Sequence, residues 1–161
     1  MNELILKISS IEQMQQLAYD ITYNIMPSSV LALNGDLGAG KTTFTKGIGR
    51  ALEIKRVINS PTFTIMKIYD ASNQVNGITK LYHLDVYRLD SSSSDFELEE
   101  YFYQDGITVI EWATIIDDIL PSDTMWIDIY RIDDNTRKVV LKNFKKEVLD
   151  ILGNKYEVIF G

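Results

Sequence analysis

The chain has 161 residues, 45% of them hydrophobic, which suits the core of one domain. Its formal net charge of −7 argues against a protein that holds nucleic acid unaided, because that affinity comes mostly from lysine and arginine neutralising phosphate. Zero cysteines exclude disulfides, thiolate catalysis and cysteine-ligated metals, and no apolar run of membrane-spanning length or signal peptide is present, so we expect a cytoplasmic protein.

The first part of the chain predicts a strand followed by a helix. Glu3 to Ser9 alternates apolar with polar residues, as a half-buried strand does. Ser10 and Gln13, three positions on, form a capping box, and apolar residues then recur at helical spacing. Pro27 predicts that this helix closes near Met26.

The next segment predicts a phosphate-binding loop between a buried strand, Val30 to Leu33, and a second helix. Gly35 and the run Gly40, Lys41 and Thr42 match the pattern G-x-x-x-x-G-K-[ST], in which backbone N–H groups surround the phosphates of a nucleotide. The lysine reaches the β and γ phosphates and the threonine hydroxyl is offered to Mg²⁺. We therefore expect nucleotide binding at this loop.

Two further segments precede the middle of the chain. Ser60 to Phe63 contains a proline that favours an extended, rigid loop, which is equally consistent with a plain strand entry and with a ligand-sensing segment. A strand from Phe63 to Tyr69 is predicted next. The polar residues 70 to 77 then connect it, as a hairpin, to a strand from Thr79 to Tyr87.

The last of these strands carries His83 and Asp85 on one face. For the histidine a structural role is favoured, in which it orients Asp85 or caps a backbone group. The aspartate emerges from an apolar strand in a protein that must hold Mg²⁺. Asp85 is therefore a candidate for the second shell of the metal or for positioning water.

A second acid follows a helix predicted from Ser94 to about Phe102. The apolar stretch Gly106 to Trp112 predicts a strand with Glu111 near its carboxyl end. A phosphate-loop enzyme needs an acid at this place, because it points at the Mg²⁺ beside the loop. Glu111 is the predicted acid.

The remaining elements are a short helix ending at Leu120, a hairpin and a tail. The hairpin pairs residues 125–132 with 137–141, and a helix at 145–152 precedes a strand at 155–160. Residues 154–157 resemble the guanine-reading N-K-x-D motif but end in glutamate, so a GTPase is rejected. The predicted fold class is α/β: a single P-loop NTPase-type three-layer domain over 1–161, with a central mixed, mainly parallel sheet flanked by helices.

Four stretches together resemble the bacterial TsaE (YjeE) family, the ATPase of tRNA threonylcarbamoyladenosine biosynthesis. These stretches are Gly35 to Thr43, Ser60 to Phe63, His83 to Leu89, and Val109 to Trp112. The resemblance covers the chain from about Ser9 to Pro121 and implies a small Mg²⁺-dependent ATPase that binds TsaB and TsaD. Its hydrolysis of ATP would support repeated modification of adenosine 37 of tRNA, with tRNA met only indirectly and no membrane involved.

The resemblance also implies roles for individual residues. Lys41, Asp85 and Glu111 would be catalytic, with Thr42 and Glu111 serving Mg²⁺ and Asp85 holding or polarising water. Ser60 to Phe63 would behave as a switch-like loop near the γ phosphate. The residues implied in nucleotide binding are Leu37, Gly38, Ala39, Gly40, Lys41, Thr42 and Thr43 in the loop, with Ile11, Thr62, Trp112, Thr114 and Arg137 outside it.

Two alternative functions share the phosphate loop. A small-molecule kinase usually carries a lid with several arginines, whereas the five arginines of this chain form no cluster in the sequence. A nucleotide-sensing adaptor would use ATP binding alone to order Ser60 to Phe63 for a partner, with little hydrolysis. Single-turnover phosphate release separates the adaptor from the ATPase.

Overall fold

The computed structural model describes residues 3–36, 38–59, 66–85, 105–111 and 120–159. These ranges contain eight strands, three α-helices and one short 3-10 helix, Val75–Gly77. The strands are β1 (Glu3–Ile8), β2 (Val30–Asn34), β3 (Met66–Asp70), β4 (Lys80–Asp85), β5 (Ile107–Glu111), β6 (Met125–Arg131), β7 (Arg137–Lys142) and β8 (Glu157–Val158). The helices are α1 (Ile11–Thr22), α2 (Lys41–Ala51) and α3 (Lys146–Lys155).

All eight strands form one sheet in the order β3-β4-β5-β2-β6-β7-β1-β8. The four central strands, β4, β5, β2 and β6, run parallel, and antiparallel pairs complete the sheet on both sides. The α/β fold class and its mixed sheet, parallel at the centre, are therefore confirmed. Because the carboxyl ends of parallel strands meet at one edge, the ends of β4, β5, β2 and β6 surround the start of the phosphate loop.

Register at this edge determines which side chains become neighbours. Leu33, near the end of β2, is paired with Glu111 on β5, and Asp85 on β4 is paired with the same Glu111. On the other side of β2, Asn34 is paired with Asp128 on β6. Two carboxylates thus flank the last two residues of β2, one on each neighbouring strand.

Helices α1 and α2 pack directly on each other, and α2 begins at the end of the phosphate loop. Gly47 on α2 permits this approach, since a Cβ there would lie 2.3 Å from the backbone oxygen of Gln15 on α1. Leu17 and Ile21 on α1 and Phe44 on α2 are fully buried core residues, and each such side chain contributes about 2 kcal/mol to folding. The start of α2, which carries Lys41, is therefore held on a rigid base.

The first helix ends earlier than the sequence predicts. The expected end near Met26 is wrong, because α1 stops at Thr22. Asn24 donates from Nδ2 to the carbonyl of Asp20 at 2.7 Å, and the Asn76 side chain donates to the carbonyl of Tyr23 at 3.1 Å. These side chains satisfy the terminal carbonyls, so the helix closes before Pro27 exerts its effect.

The other described elements confirm the predicted strands and helices with shifts of a few residues at their ends. The predicted Ser10 cap is present, with its hydroxyl 3.0 Å from the Gln13 N–H. The helix predicted at 94–102, the segment 60–65 and the helix before Leu120 lie outside the described residues. Among the helices that the structure describes, none has the length and apolar character needed to cross a membrane.

Candidate functional site

The phosphate loop joins the end of β2 to the first turn of α2. Gly38 and Gly40 have φ values of 80° and 122°, in the region that residues with a Cβ rarely adopt. Gly40 is the residue before α2 and has no side chain to cap the helix. The first N–H groups of α2 and its positive dipole end therefore face the loop, where they favour an anion.

A cavity of about 260 Å³ opens beside this loop. It is bordered by the start of α1, the loop itself and the turn between β6 and β7. The structure thus brings together six residues implied in nucleotide binding from three separate parts of the chain. Its lining includes Ile11, Gly38, Ala39, Gly40, Thr43 and Arg137.

A buried charged cluster lies on the β5 side of the loop. Glu111 is only 3% exposed, and its Oε1 lies 3.9 Å from Nζ of Lys41, the first residue of α2. Its other oxygen, Oε2, lies 2.6 Å from Nε2 of His83, which is fully buried. The predicted acid and the predicted lysine are therefore neighbours, although 70 residues of sequence separate them.

His83 is hydrogen-bonded to Glu111 and not to the partners that the sequence suggested. The expectation that it orients Asp85 or caps a backbone group is wrong, because the parallel pairing of β4 with β5 places its Nε2 against Glu111. Its other ring nitrogen, Nδ1, is buried and lacks a hydrogen-bond partner. Because a carboxylate can only accept, Nε2 of His83 is the donor in this hydrogen bond.

Asp85 is the last residue of β4 and pairs in register with Glu111. It is half-buried, which leaves it closer to solvent than Glu111. The structure therefore places both predicted acids at the same edge of the sheet. Thr42, which follows Lys41 in the first turn of α2, is also half-buried.

The residues present fit a nucleotide with Mg²⁺. The glycine conformations, the uncapped α2 terminus and the buried Lys41 match the chemistry of polyphosphate. Within the described ranges no three acidic or histidine side chains form a metal cage. Mg²⁺ bound through phosphates, water and one or two protein oxygens needs none, and Thr42 and Glu111 have the hard oxygens that it prefers.

The β6 side of the loop contains a second buried carboxylate that the sequence analysis missed. Asp128, 8% exposed, accepts from Asn34 Nδ2 at 3.0 Å and from Lys142 Nζ at 2.9 Å. The hydrogen bond to Asp128, with its charge, raises the pKa of Lys142. The available signal was an acid within the apolar strand β6, the same signal that singled out Asp85.

Arg137 begins β7, lines the cavity and contacts the phosphate loop. Its guanidinium donates to the carbonyls of Ala39 and Gly38, and also to those of Asp133 and Thr136 in the β6–β7 turn. These contacts with main-chain oxygens were not foreseen from the sequence. Four other residues implied at the site, Leu37, Thr62, Trp112 and Thr114, lie outside the described residues.

Comparison with known proteins agrees with this geometry. The family model described as "Threonylcarbamoyl adenosine biosynthesis protein TsaE" matches residues 8–139. The tRNA threonylcarbamoyladenosine biosynthesis protein TsaE of Bacillus subtilis is 44% identical over 133 residues, covering 83% of this chain and 76% of its own length. Its namesake in Aquifex aeolicus is 37% identical over 134 residues, covering 82% of this chain and 90% of its own.

A solved structure gives the same result for the fold. The crystal structure of YdiB from Bacillus subtilis has a TM-score of 0.76 and 34% sequence identity, and the alignment covers 96% of each chain. The family match spans the phosphate loop, the strand with His83 and Asp85, Glu111 and Arg137. The chain belongs to the TsaE family.

Proposed function

We propose that this chain is a Mg²⁺-dependent ATPase that acts with TsaB and TsaD in forming N6-threonylcarbamoyladenosine at position 37 of tRNA. Its hydrolysis of ATP would support repeated turnovers by the partner proteins, and tRNA would be met only through the complex. Since the role concerns tRNA, we expect the protein in the cytoplasm. The family membership supports the pathway, and the buried cluster at the loop supports the chemistry.

The observation that carries the ATPase proposal is the position of Glu111. A carboxylate this deeply buried is costly unless it has partners, and it lies between Lys41 and His83 at the carboxyl end of a strand adjacent to β2. This edge of a parallel sheet is where nucleotides bind in such folds. Together with Thr42, Glu111 would hold Mg²⁺.

The proposed roles of the other residues in ATP hydrolysis follow from their positions. The loop amides and Lys41 would bind the phosphates and neutralise negative charge, because they approach from α2 and its N-terminus. Asp85 would position the attacking water, since it lies beside Glu111 but nearer solvent. Thr42 and Glu111 would hold a Mg²⁺ ion that supplies positive charge to the phosphates. Leu37, Thr62, Trp112 and Thr114 are proposed to complete the nucleotide site.

The test is nucleotide-dependent co-purification with TsaB and TsaD, with ATP hydrolysis measured on the same samples. Wild-type protein, Lys41→Ala and Glu111→Ala are compared. We expect slow hydrolysis by the isolated chain, a changed rate with the partners, and loss of hydrolysis in both variants. Equal rates with and without the partners would contradict the coupling, and continued multiple-turnover tRNA modification by Lys41→Ala would contradict the nucleotide requirement.

A further inference from the structure

We infer that Arg137 is a positioning residue that fixes the direction of two peptide groups of the phosphate loop. Its Nε donates to the Ala39 carbonyl at 2.7 Å and its Nη2 to the Gly38 carbonyl at 3.2 Å. The inference rests on the proposed nucleotide site and adds a device that shapes it. The resemblance implied a nucleotide contact for this residue, whereas its donors here lie on the loop backbone.

A carbonyl that is held in place also sets the direction of the N–H in the same peptide unit. In a planar trans peptide the carbonyl and the following N–H point in opposite directions, and the described residues contain no cis peptide. Holding the Ala39 carbonyl therefore aims the Gly40 N–H away from Arg137. Holding the Gly38 carbonyl likewise aims the Ala39 N–H, which donates to the Asp36 carbonyl at 3.0 Å.

The glycines of the phosphate loop leave its backbone free to reorient. Ala39 stands between Gly38 and Gly40, and both glycines adopt positive φ. Glycine makes these conformations accessible but leaves many others open, so the Ala39–Gly40 peptide in particular would reorient easily without the contact to Arg137. A guanidinium presents several donors in one rigid plane and is suited to holding two carbonyls at once.

The β6–β7 turn holds the guanidinium of Arg137 in place. Arg137 Nη1 donates to the carbonyls of Asp133 and Thr136 at 2.7 and 3.1 Å. The Asp133 carboxylate in turn accepts from the N–H groups of Asn135 and Thr136 at 2.9 and 2.8 Å, which closes the turn. The β6–β7 turn is thus a fixed platform, and Arg137 connects it to a loop about 98 residues earlier in sequence.

The consequence is preorganisation of the loop before any ligand arrives. Ordering a loop on binding costs free energy, and a loop already ordered binds more tightly. Because Arg137 acts on the backbone that receives phosphate, its loss weakens every nucleotide carrying a β phosphate by a similar factor. A residue that touched the γ phosphate would instead separate ATP from ADP.

The experiment compares wild type with Arg137→Gln and Arg137→Lys. The control is Lys138→Gln, which removes one positive charge from the next position of β7, on the opposite face of the strand. Backbone amide NMR spectra of the nucleotide-free proteins report the loop directly. Binding of fluorescent ATP and ADP analogues gives the Kd values, and unfolding curves report overall stability.

We expect both Arg137 variants to shift and broaden the amide signals of Ala39 and Gly40 without ligand, and to raise the Kd for ATP and ADP alike by about tenfold. Lysine does not rescue, because one ammonium cannot hold two carbonyls as a fork does. Unchanged loop signals, full rescue by lysine, or a loss confined to ATP would overturn the inference. Should Arg137→Gln fail to fold, Arg137→Lys keeps the aliphatic stem and carries the same test.

The loop spectra keep this inference separate from the proposed ATPase function. Absence of nucleotide binding in wild-type protein would defeat the proposed function, while the ligand-free spectra would still show whether Arg137 orders the loop. Conversely, normal hydrolysis together with unperturbed loop signals in the Arg137 variants would overturn only the inference.

Discussion

The two strands that flank β2 each place a buried carboxylate beside the phosphate loop, and the two carboxylates have different surroundings. On β6, Asp128 has a hydrogen bond from Asn34 and an ion pair with Lys142, both within 3.0 Å. On β5, Glu111 has one short contact with His83 and a longer one, 3.9 Å, with Lys41. Among the described residues, Asp128 thus has two short contacts with an amide and an ammonium group, whereas the ammonium group nearest to Glu111 belongs to the phosphate loop.

The surroundings of the two carboxylates distinguish a structural from a functional acid at the same edge of the sheet. Burial does not separate them, since Glu111 and Asp128 are 3% and 8% exposed. The partners do: Asp128 connects three strands, β2, β6 and β7, while Glu111 faces the lysine of the phosphate loop. A buried carboxylate that faces the lysine of the phosphate loop is the better candidate for holding a metal.

The largest effect is expected when each carboxylate becomes the isosteric amide. We predict that Glu111→Gln lowers ATP hydrolysis in the presence of TsaB and TsaD about 100-fold, because an amide neither neutralises nor holds Mg²⁺ as a carboxylate does. Asp128→Asn should lower it less than about threefold, since an amide oxygen still accepts from Asn34. Equal losses in the two variants, at matched folded fractions, would break the distinction between these acids.

A smaller effect is expected at His83. Replacement by leucine removes the donor to Glu111, and we predict that about tenfold more Mg²⁺ is needed to saturate nucleotide binding, as when an outer hydrogen bond to a metal ligand is lost. Glutamine reaches a position near that of Nε2 and should recover most of this affinity. A Mg²⁺ titration of fluorescent nucleotide binding measures the effect without hydrolysis. Identical titrations for leucine and glutamine would show that the hydrogen bond is unimportant.

The free energy of unfolding should depend on Asp128. Asp128→Ala leaves the Asn34 amide and the Lys142 ammonium without their partner, and we predict a loss of about 2 kcal/mol in the free energy of unfolding. Urea denaturation at neutral pH measures it. Asp70→Ala, which removes an exposed ion pair with Lys80, is the control and should change stability little. If the two variants were equally stable, Asp128 would not be a structural brace.

The smallest effect concerns Asp133, on the β6 side of the loop. The backbone N–H of Asn135 and contacts with Thr136 lower the pKa of this carboxyl. The unfolded chain therefore binds a proton more readily, so the stabilisation is complete above the ordinary aspartate pKa of 3.8 and is lost as pH falls through the lower pKa of the folded state. Asp133→Asn should reduce stability slightly at pH 7, and the difference from wild type should shrink below about pH 4.

The unfolding midpoints of wild type and Asp133→Asn, measured from pH 2 to 7, test this dependence. Lys138→Gln serves as a control in the same hairpin, because it changes one charge without touching the turn. A difference that grew towards low pH would contradict the assigned sign.

Much of the architecture was predictable from local pattern. The strands β2 and β5, the helix α1 with its Ser10 cap and the β6–β7 hairpin follow from apolar periodicity and turn residues. The phosphate loop follows from glycine and lysine spacing alone. The end of α1 was not predictable, because Asn76, more than 50 residues further on, helps to satisfy its terminal carbonyls.

The amino-acid sequence alone predicts a phosphate loop between Gly35 and Thr42 and indicates Asp85 and Glu111 as candidate acids. Their residue types and spacing carry that information locally. The partners of the side chains depend on the fold: His83 is bonded to Glu111, Asn34 and Lys142 to Asp128, and Arg137 to the loop carbonyls. The physical reason is that strand order and register, which bring distant residues within 3 Å, arise from packing of the whole sheet and leave no local trace in the sequence.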